Sequence, residues 1–286
     1  MMNVSDMCDA FGIARSGYYR WLQEPVCERE KNDQRVLLPA IRAIFNDSRQ
    51  TYGSVRISDA LKDMGILTSI RRVRRIMTYD RMITRHTRNF RCITKRGADT
   101  SSIPDLLNRD FSAKKPNIIW VGDITEITTL GGLLYLAFIL DLFSRFVVGW
   151  YLDDNKAENL VIQALVKAVE RRDPPKGFLF HSDHGSQYGS HLFQSILKFH
   201  GGKPSMGSVG DCYDNAVSES FVHTLKTECL NGVELISREF TERLIFDYIE
   251  VFYNRKRKHS SLGYMSPFKY ELVNRVQLNS CPLFRI

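Results

Sequence analysis

Scarce cysteine and the lack of a long apolar run already exclude several classes of protein. The six cysteines contain no Cys-x-x-Cys pair, so they indicate reduced thiols, not a disulfide framework or a zinc site. No apolar stretch reaches the roughly 20 residues that a membrane helix needs. The N-terminus has no basic segment followed by an apolar core, as a secretory signal would. We therefore expect a cytoplasmic protein.

Histidine is also scarce in the first 116 residues, where His86 is the only one. A zinc module of paired histidines and cysteines is thus excluded from that part of the chain. Positive charge is in excess, with 40 Lys and Arg against 32 Asp and Glu and a pI near 9.2. This balance favours an anionic partner such as nucleic acid. A length of 286 residues suggests about two domains.

Three acidic residues stand in settings where a carboxylate is unfavourable. Asp123 lies in the apolar, strand-like run 117–127, and Asp183 ends a second such run, 177–183. Glu219 falls on a helical pattern. Acidic side chains are costly to bury unless they are paired or bind a cation. Two strand-borne aspartates and one helix-borne glutamate, brought together, could hold two Mg²⁺ ions for phosphoryl transfer on a nucleic acid.

The helical pattern around Glu219 also carries a basic residue. Lys226 follows after seven residues, nearly two helical turns, so both side chains should face the same way. Such a helix could offer a carboxylate to a cation while its amine reaches a phosphate. The spacing of the acidic residues is not specific by itself, and a solvated helix face is the alternative.

The positive charge is concentrated in residues 71–96, which contain ten basic residues and one acidic residue, Asp80. The apolar spacing predicts helices over 55–64 and 70–77 with a turn at Gly65. This helix-turn-helix pattern would place the arginines on the exposed side of the second helix, from which such helices contact DNA. A solubilising surface is the alternative. The candidate DNA contacts are Arg71, Arg72, Arg74 and Arg75.

A second basic cluster follows an amphipathic helix predicted over 240–253. Its four consecutive basic residues could contact phosphates or simply end a charged helix. We favour phosphate contact. The residues concerned are Arg255, Lys256, Arg257 and Lys258.

The rest of the pattern predicts an α/β core. Three strands within 118–152 should form antiparallel hairpins. A helix, a strand, a helix, a short strand and the Glu219 helix should follow. The predicted domains are an all-α region of helix-turn-helix-like DNA-binding modules over 1–98, a linker over 99–116, a catalytic core with a basic C-terminal helix over 117–270, and a tail over 271–286.

Several phrases occur in the order typical of one family. They are 120–125 (WVGDIT), 141–145 (DLFSR), 181–188 (HSDHGSQY), 214–221 (DNAVSESF) and the segment 253–267. In these phrases the chain resembles the DDE transposases of bacterial insertion sequences, which belong to the retroviral-integrase-like superfamily. It resembles specifically the product of their second reading frame.

The resemblance implies an RNase H-like integrase core, a mixed five-stranded sheet with flanking helices. Its catalytic, metal-binding triad would be Asp123, Asp183 and Glu219, with Mg²⁺ as cofactor and Mn²⁺ as a substitute. The implied reaction is metal-dependent cleavage at the 3′ end of an insertion element and transfer of the 3′-OH strand into target DNA.

The resemblance also implies the partners. These are the inverted repeats of the element, target DNA, and further copies of the chain in a homo-oligomer that is at least a dimer on DNA. An upstream helix-turn-helix protein, separate or joined by a frameshift fusion, could complete the enzyme. The expected location is the bacterial cytoplasm, in association with the nucleoid.

Two functions of other classes stay open. The chain could be a DNA-binding regulator whose core is catalytically inactive. It could also be an RNase H-like endonuclease that cleaves without strand transfer. The basic N-terminal region and Lys226 argue against a minimal nuclease.

Overall fold

The computed structural model describes residues 3–23, 28–85, 103–108, 110–207 and 216–280. They fall into two compact units, Met1–Thr84 and Arg85–Ile286. Within these ranges no helix is both long and apolar enough to cross a membrane.

The first unit is helical and contains the predicted helix-turn-helix. The first helix of this motif ends before a glycine, and the second begins after a serine that caps it. Gly65 adopts φ +78° after the first helix, a left-handed conformation that glycine accepts without strain. Ser69 caps the second helix by accepting the backbone N–H of Arg72 (3.2 Å). The helices are α1 (Val4–Ala10), α2 (Arg15–Gln23), α3 (Glu28–Asn32), α4 (Leu38–Asp47), α5 (Ser54–Asp63) and α6 (Ile70–Tyr79), with a π-helical segment, Asp33–Leu37, before α4.

The second unit is built on a five-stranded mixed sheet with the order β3-β2-β1-β4-β5. The first three strands pair antiparallel, as their hairpin pattern predicts, whereas β1 pairs parallel with β4 and β4 with β5. The predicted fold class is confirmed, with β1 at the centre. The strands are β1 (Ile119–Thr129), β2 (Gly132–Asp141), β3 (Val147–Asp153), β4 (Leu179–Ser182) and β5 (Lys203–Met206).

Helices cover the sheet and close the core. Helix α7 (Glu158–Arg172) packs on β3 and β2 so closely that only a glycine fits at position 149 of β3. A Cβ atom on Gly149 would lie 2.7 Å from the Cβ of Ala168 and still closer to the carbonyl oxygen of Ala164. The helices of this unit are α7 (Glu158–Arg172), α8 (His191–Phe199), α9 (Ala216–Leu225), α10 (Arg238–Phe246) and α11 (Pro267–Ser280).

Two predicted helices change their winding before they end. After α9 the chain continues as a π-helical segment, Lys226–Leu230, and after α10 as another, Asp247–Tyr253. Both segments are largely buried. Hydrophobic spacing does not distinguish α from π winding over a single turn, so local patterns could not indicate this change.

The described part of the predicted linker is attached to the sheet. The backbone N–H of Leu106 donates to the hydroxyl of Ser205 (2.9 Å), and that of Met206 donates to the carbonyl of Pro104 (3.3 Å). Leu107 is buried. Residues 103–108 therefore line β5 instead of spanning freely between domains.

The predicted boundary at residue 270 falls inside α11. Glu271 is buried and accepts hydrogen bonds from both terminal nitrogens of Arg172 (2.8 and 3.0 Å) and from the hydroxyl of Ser144 (2.6 Å). The beginning of the predicted tail is thus fixed to the core. Its partners lie about 100 residues or more away in sequence, so local patterns could not indicate the contact.

Candidate active site

The sheet brings two of the three predicted carboxylates together. In the parallel ladder of β1 and β4, Gly122 stands opposite Ser182. The next residue on each strand is an aspartate, so Asp123 and Asp183 are neighbours at the end of β4. Asp123 is partly buried, and Asp183 is exposed. The backbone N–H of Gly185 donates to the Asp183 carboxylate (3.1 Å).

The third carboxylate approaches from a helix. Glu219 lies in the first turn of α9, and α9 packs against β1. Among the described residues, no three His, Cys, Asp or Glu side chains are close enough to hold one metal ion together. The charge of Glu219 acts on the pKa of Asp123, so the two side chains are near each other. In the described residues, however, Glu219 does not complete a three-ligand group with the aspartates.

The pKa of Asp123 is shifted by its burial and by the neighbouring carboxylates. Burial, and then the charges of Asp183 and Glu219, raise the pKa of Asp123 to about 7. A hydrogen bond from the backbone N–H of Ile124 (2.7 Å) opposes the shift. Carboxylates held this close favour a proton or a cation between them. Since all three donors offer hard oxygen atoms, the site fits Mg²⁺ or Mn²⁺.

Lys226 lies at the edge of the same site. It begins the π-helical segment instead of continuing α9, and it is half buried. Burial lowers the pKa of its amine, while the charges of Glu126 and Asp123 oppose that shift. Its charge therefore acts on Asp123, while the predicted common face of Lys226 and Glu219 stays a prediction.

Tyr188 packs against the central strand next to Asp123, a position that the sequence did not reveal. Its side chain is buried, and its ring packs on Phe180 and Phe193. A Cβ atom on Gly122 would lie 3.3 Å from the Tyr188 hydroxyl, which places that hydroxyl over the backbone next to Asp123. Burial, followed by the charges of the two aspartates, raises the pKa of Tyr188 well above its ordinary value. The motif 181–188 contains Tyr188, but only the fold shows what it faces.

One predicted phosphate contact in the C-terminal basic cluster needs correction. Arg257 is buried and donates two hydrogen bonds to the carboxylate of Glu228, both at 2.7 Å. Tyr248 donates a third to the same carboxylate (2.9 Å). A guanidinium enclosed in this way is not available to DNA. Arg255 and Lys256 are exposed and Lys258 is partly exposed, so for these three the phosphate contact stays a prediction.

The arginines of α6 also divide into two groups. Arg72 and Arg75 donate to the buried carboxylate of Asp33, each at 2.6 Å. Although burial raises the pKa of Asp33, these two partners lower it overall. Their guanidinium groups are engaged in holding the π-helical segment to α6, which the sequence did not suggest. Arg71 and Arg74 are exposed and stay candidates for DNA contact, and so does Arg75, whose side chain is 53% exposed despite its ion pair. The other basic residues of the segment 71–96, Arg88, Arg91, Lys95 and Arg96, lie outside the described residues.

Comparison with family models assigns both parts of the chain. Two models described as integrase core domain match residues 113–212 and 200–267. A model described as HTH-like domain matches residues 31–90. The matches agree with the mixed sheet of the second unit and with the helices of the first.

Relatives are similar over nearly the whole chain. The chain is 38% identical over 261 residues to the insertion element IS600 uncharacterized 31 kDa protein of Shigella sonnei, with 91% of this chain and 96% of the relative covered. It is 37% identical over 273 residues to the transposase InsF for insertion sequence IS3A of Escherichia coli, with 95% of each covered.

Solved structures give weaker similarities. The catalytic core domain of the HTLV-2 integrase in complex with magnesium has a TM-score of 0.41 and 16% identity, with 55% of this chain and 98% of that chain covered. A chain of the simian T-cell lymphotropic virus intasome has a TM-score of 0.46 and 17% identity, with 80% and 72% covered. These values are too low to assign roles to residues. The sequence relatives and the two integrase core matches suffice: the chain belongs to the insertion-sequence transposases with an integrase core domain.

Proposed function

We propose that this protein cleaves DNA at the 3′ ends of an insertion element and transfers the resulting 3′-OH strands into target DNA. The observation that carries the proposal is a pair of adjacent aspartates, Asp123 within β1 and Asp183 directly after the parallel strand β4, with Glu219 close enough to act on the pKa of Asp123. Carboxylates so placed are stable together when a cation lies between them.

Asp123, Asp183 and Glu219 would hold the divalent cations, Mg²⁺ or Mn²⁺. When bound, such cations supply Lewis-acid activation of the attacking oxygen and stabilise charge on the leaving oxygen. Glu219 would join the two aspartates on binding, because it does not complete a three-ligand group with them in the described residues. Lys226, half buried near Asp123, would offset the negative charge of a phosphate brought to the site.

The two reactions balance without a further energy source. In the first, water attacks the phosphorus at the element end, the P–O3′ bond breaks, and a 3′-OH and a 5′-phosphate remain. In the second, that 3′-OH attacks a target phosphorus and a target P–O3′ bond breaks. One phosphodiester is lost as another forms, so joining requires positioning and charge stabilisation but no nucleotide cofactor.

Two exposed basic surfaces would hold the DNA. One is the outer face of α6 with Arg71 and Arg74, and the other is the turn with Arg255, Lys256 and Lys258. Their ligands would be the inverted repeats and the target duplex. We further propose that at least two copies assemble on DNA, because both ends of an element must be joined, and that an upstream helix-turn-helix protein, separate or fused, contributes to end recognition.

The test uses purified protein, labelled DNA that carries the element ends, and either Mg²⁺ or Mn²⁺. Wild type is compared with Glu219→Gln and with Glu234→Gln, which changes an exposed carboxylate of the same unit. We expect 3′ nicks and joined products from wild type and Glu234→Gln, and neither from Glu219→Gln.

Other outcomes separate the alternatives. Nicking without joining would favour an endonuclease or a missing upstream partner. Binding without any cleavage, identical in all three proteins, would leave a DNA-binding regulator and refute the catalytic proposal.

A further inference from the structure

Residues 4–23, which we call the N-terminal hairpin, form a second helix-turn-helix beside that of α5 and α6. Helix α1 packs on α2, and the four residues 11–14 join them. A turn of three or four residues that contains a glycine is typical of the DNA-binding helix-turn-helix. The two basic surfaces described above do not include this hairpin.

The turn of the N-terminal hairpin has the same backbone geometry as the turn between α5 and α6. Gly12 and Gly65, 53 residues apart, adopt φ +63° and +78°. Each glycine N–H donates to the carbonyl three residues earlier (3.2 and 3.0 Å). The next residue is an isoleucine in both turns, and its N–H donates to the carbonyl five residues earlier (2.9 Å in both). Both first helices therefore end in the same Schellman motif.

The helices that follow the two turns share an apolar pattern. They can be compared from their first residues, Arg15 of α2 and Ile70 of α6. In α6 the fourth, seventh and eighth residues are Val73, Ile76 and Met77, which are buried. The same places in α2 hold apolar or aromatic side chains, although none of them is fully buried. These are Tyr18, Trp21 and Leu22.

The opposite side of α2 corresponds to the side of α6 that is a candidate for DNA contact. The second, fifth and sixth residues of α6 are Arg71, Arg74 and Arg75. In α2 these places, with the first and the ninth, hold five exposed side chains that can donate hydrogen bonds. With about 100° between successive residues, the five span an arc of about 140°. This outer arc of α2 consists of Arg15, Ser16, Tyr19, Arg20 and Gln23.

The charges of the N-terminal hairpin favour DNA as the ligand of the outer arc. Helix α2 contains two arginines and no acidic residue, whereas the acids of the hairpin, Asp6 and Asp9, lie on α1. Within residues 3–23 and 28–85 neither Arg15 nor Arg20 has an ion-pair partner. Arginine, serine, tyrosine and glutamine are side chains that contact phosphates and base edges. A second copy of the arc would instead bring arginines together, which is unfavourable.

We propose that the outer arc of α2 is a second DNA-binding surface of the helical unit, which contacts the element end in addition to α6. The inference rests on the proposed function, because it takes the DNA of the element end as the ligand. It adds a second helix-turn-helix contact for each chain, so the recognised sequence is longer than one such motif would read.

The experiment measures binding of the full chain to a labelled duplex that carries the element end, by fluorescence anisotropy in EDTA at several KCl concentrations. The variant is Arg15→Ala with Arg20→Ala. We expect it to bind roughly ten-fold more weakly or worse and to reduce the slope of log affinity against log salt by about 2. Its melting temperature should be that of wild type, because both side chains are exposed.

A matched control removes the same charge elsewhere. Lys176→Ala with Lys198→Ala changes two exposed lysines of the second unit and should leave the slope unchanged. Hydroxyl-radical footprinting then compares the α2 variant with Arg71→Ala, Arg74→Ala. We expect the two variants to lose protection over different segments of the element end.

Three results would overturn the inference. The first is an affinity and a slope of the α2 variant equal to those of wild type. The second is loss of the same protected segment in the α2 and α6 variants, which would leave no separate contact. The third is a changed oligomeric state with unchanged DNA affinity, which would assign the arc to a protein partner. Cleavage in Mg²⁺ is assayed separately, so a wild type that binds without cleaving refutes the catalytic proposal and not this one.

Discussion

Single residues determine the chemistry of this protein, and Asp123 is the most constrained of them. Its carboxylate sits on the central strand beside Asp183, in a place where burial and like charge raise its pKa to about 7. Such a group is costly to the fold unless a cation neutralises it. Strongly shifted pKa values are typical of functional sites, where side chains are placed to bind a ligand even though they destabilise the ligand-free protein.

The first prediction concerns the replacement Asp123→Asn. At pH 8 and without divalent cations, the variant should unfold at a higher urea concentration than wild type, by on the order of 1 kcal/mol, because a repelled charge is removed. It should also lose the stabilisation that Mg²⁺ gives to wild type, together with DNA cleavage. Asp154→Asn, at an exposed position, is the control and should change neither property. A less stable Asp123→Asn would contradict the argument.

The second prediction concerns pH. Because the folded pKa of Asp123 lies above its ordinary value of 3.8, the folded protein holds a proton that the unfolded chain releases. The stability from this group is therefore present below about pH 4 and is lost as the pH rises through about 7. The free energy of unfolding of metal-free wild type should fall over this window more than that of Asp123→Asn. Equal pH profiles would refute the shift.

The sequence could predict these acids but not the partners of the arginines. Asp123 and Asp183 end or interrupt apolar runs, so a local pattern marks them. Arg257 and Glu228 are 29 residues apart and Arg72 and Asp33 are 39 residues apart. Charge alone therefore suggested DNA contacts for arginines that the fold engages in ion pairs.

At the scale of elements, two features position the site: the close packing of α7 on the sheet and the π-helical segment that carries Lys226. The periodicities of the strands and helices were sufficient to predict nearly every element of the core. They could not predict strand adjacency, because the parallel pairing of β1 with β4 joins segments about 60 residues apart in sequence.

The third prediction tests the packing of α7. Gly149→Ala should destabilise the protein by about 1–3 kcal/mol or more, since the new methyl group would overlap α7 at Ala164 and Ala168. Gly131→Ala is the control, because its nearest neighbour would be at an ordinary contact distance of 3.8 Å. Urea denaturation of both variants gives the comparison. A Gly149→Ala protein as stable as the control would show that the two layers can separate freely.

The fourth prediction tests the buried ion pair between Arg257 and Glu228, a residue of the π-helical segment that begins at Lys226. Arg257→Ala removes the guanidinium that donates two hydrogen bonds to the buried carboxylate of Glu228. The expected loss is about 3–5 kcal/mol. Arg255→Ala, at an exposed position of the same turn, should stay within about 0.5 kcal/mol of wild type but bind DNA more weakly. A mild effect of Arg257→Ala on stability, with weakened DNA binding, would restore Arg257 as a phosphate contact.

At the scale of the whole molecule, the chain combines a helical unit and an integrase core unit. The fold class was predictable because the helix-turn-helix spacing is visible in the sequence and the family phrases imply an integrase core. The limit of the helical region at 98 and the start of the linker at 99 stay predictions, because both positions lie outside the described residues; the compact units divide between Thr84 and Arg85. Contacts of Pro104 and Leu106 with β5 depend on the folded sheet and leave no local signal.

The fifth prediction separates DNA contact from structural pairing in the helical unit. The double variant Arg71→Ala, Arg74→Ala should keep the melting temperature of wild type and reduce the slope of log affinity against log salt by about 2. The matched variant Arg72→Ala, Arg75→Ala removes the partners of Asp33 and should melt at a lower temperature. Anisotropy titrations at several KCl concentrations measure the slope. An unchanged slope for the first variant would exclude this face of α6 from DNA contact.

The most direct test of the account is the location of a bound cation. Crystals of the full chain grown with Mn²⁺ would be measured at a wavelength that gives an anomalous signal from manganese, with crystals of Asp123→Asn beside them. The account predicts a manganese peak between the carboxylates of Asp123 and Asp183 in the wild type and its loss in the variant. Manganese bound elsewhere, or equally in both proteins, would contradict the claim that these carboxylates form the catalytic metal site.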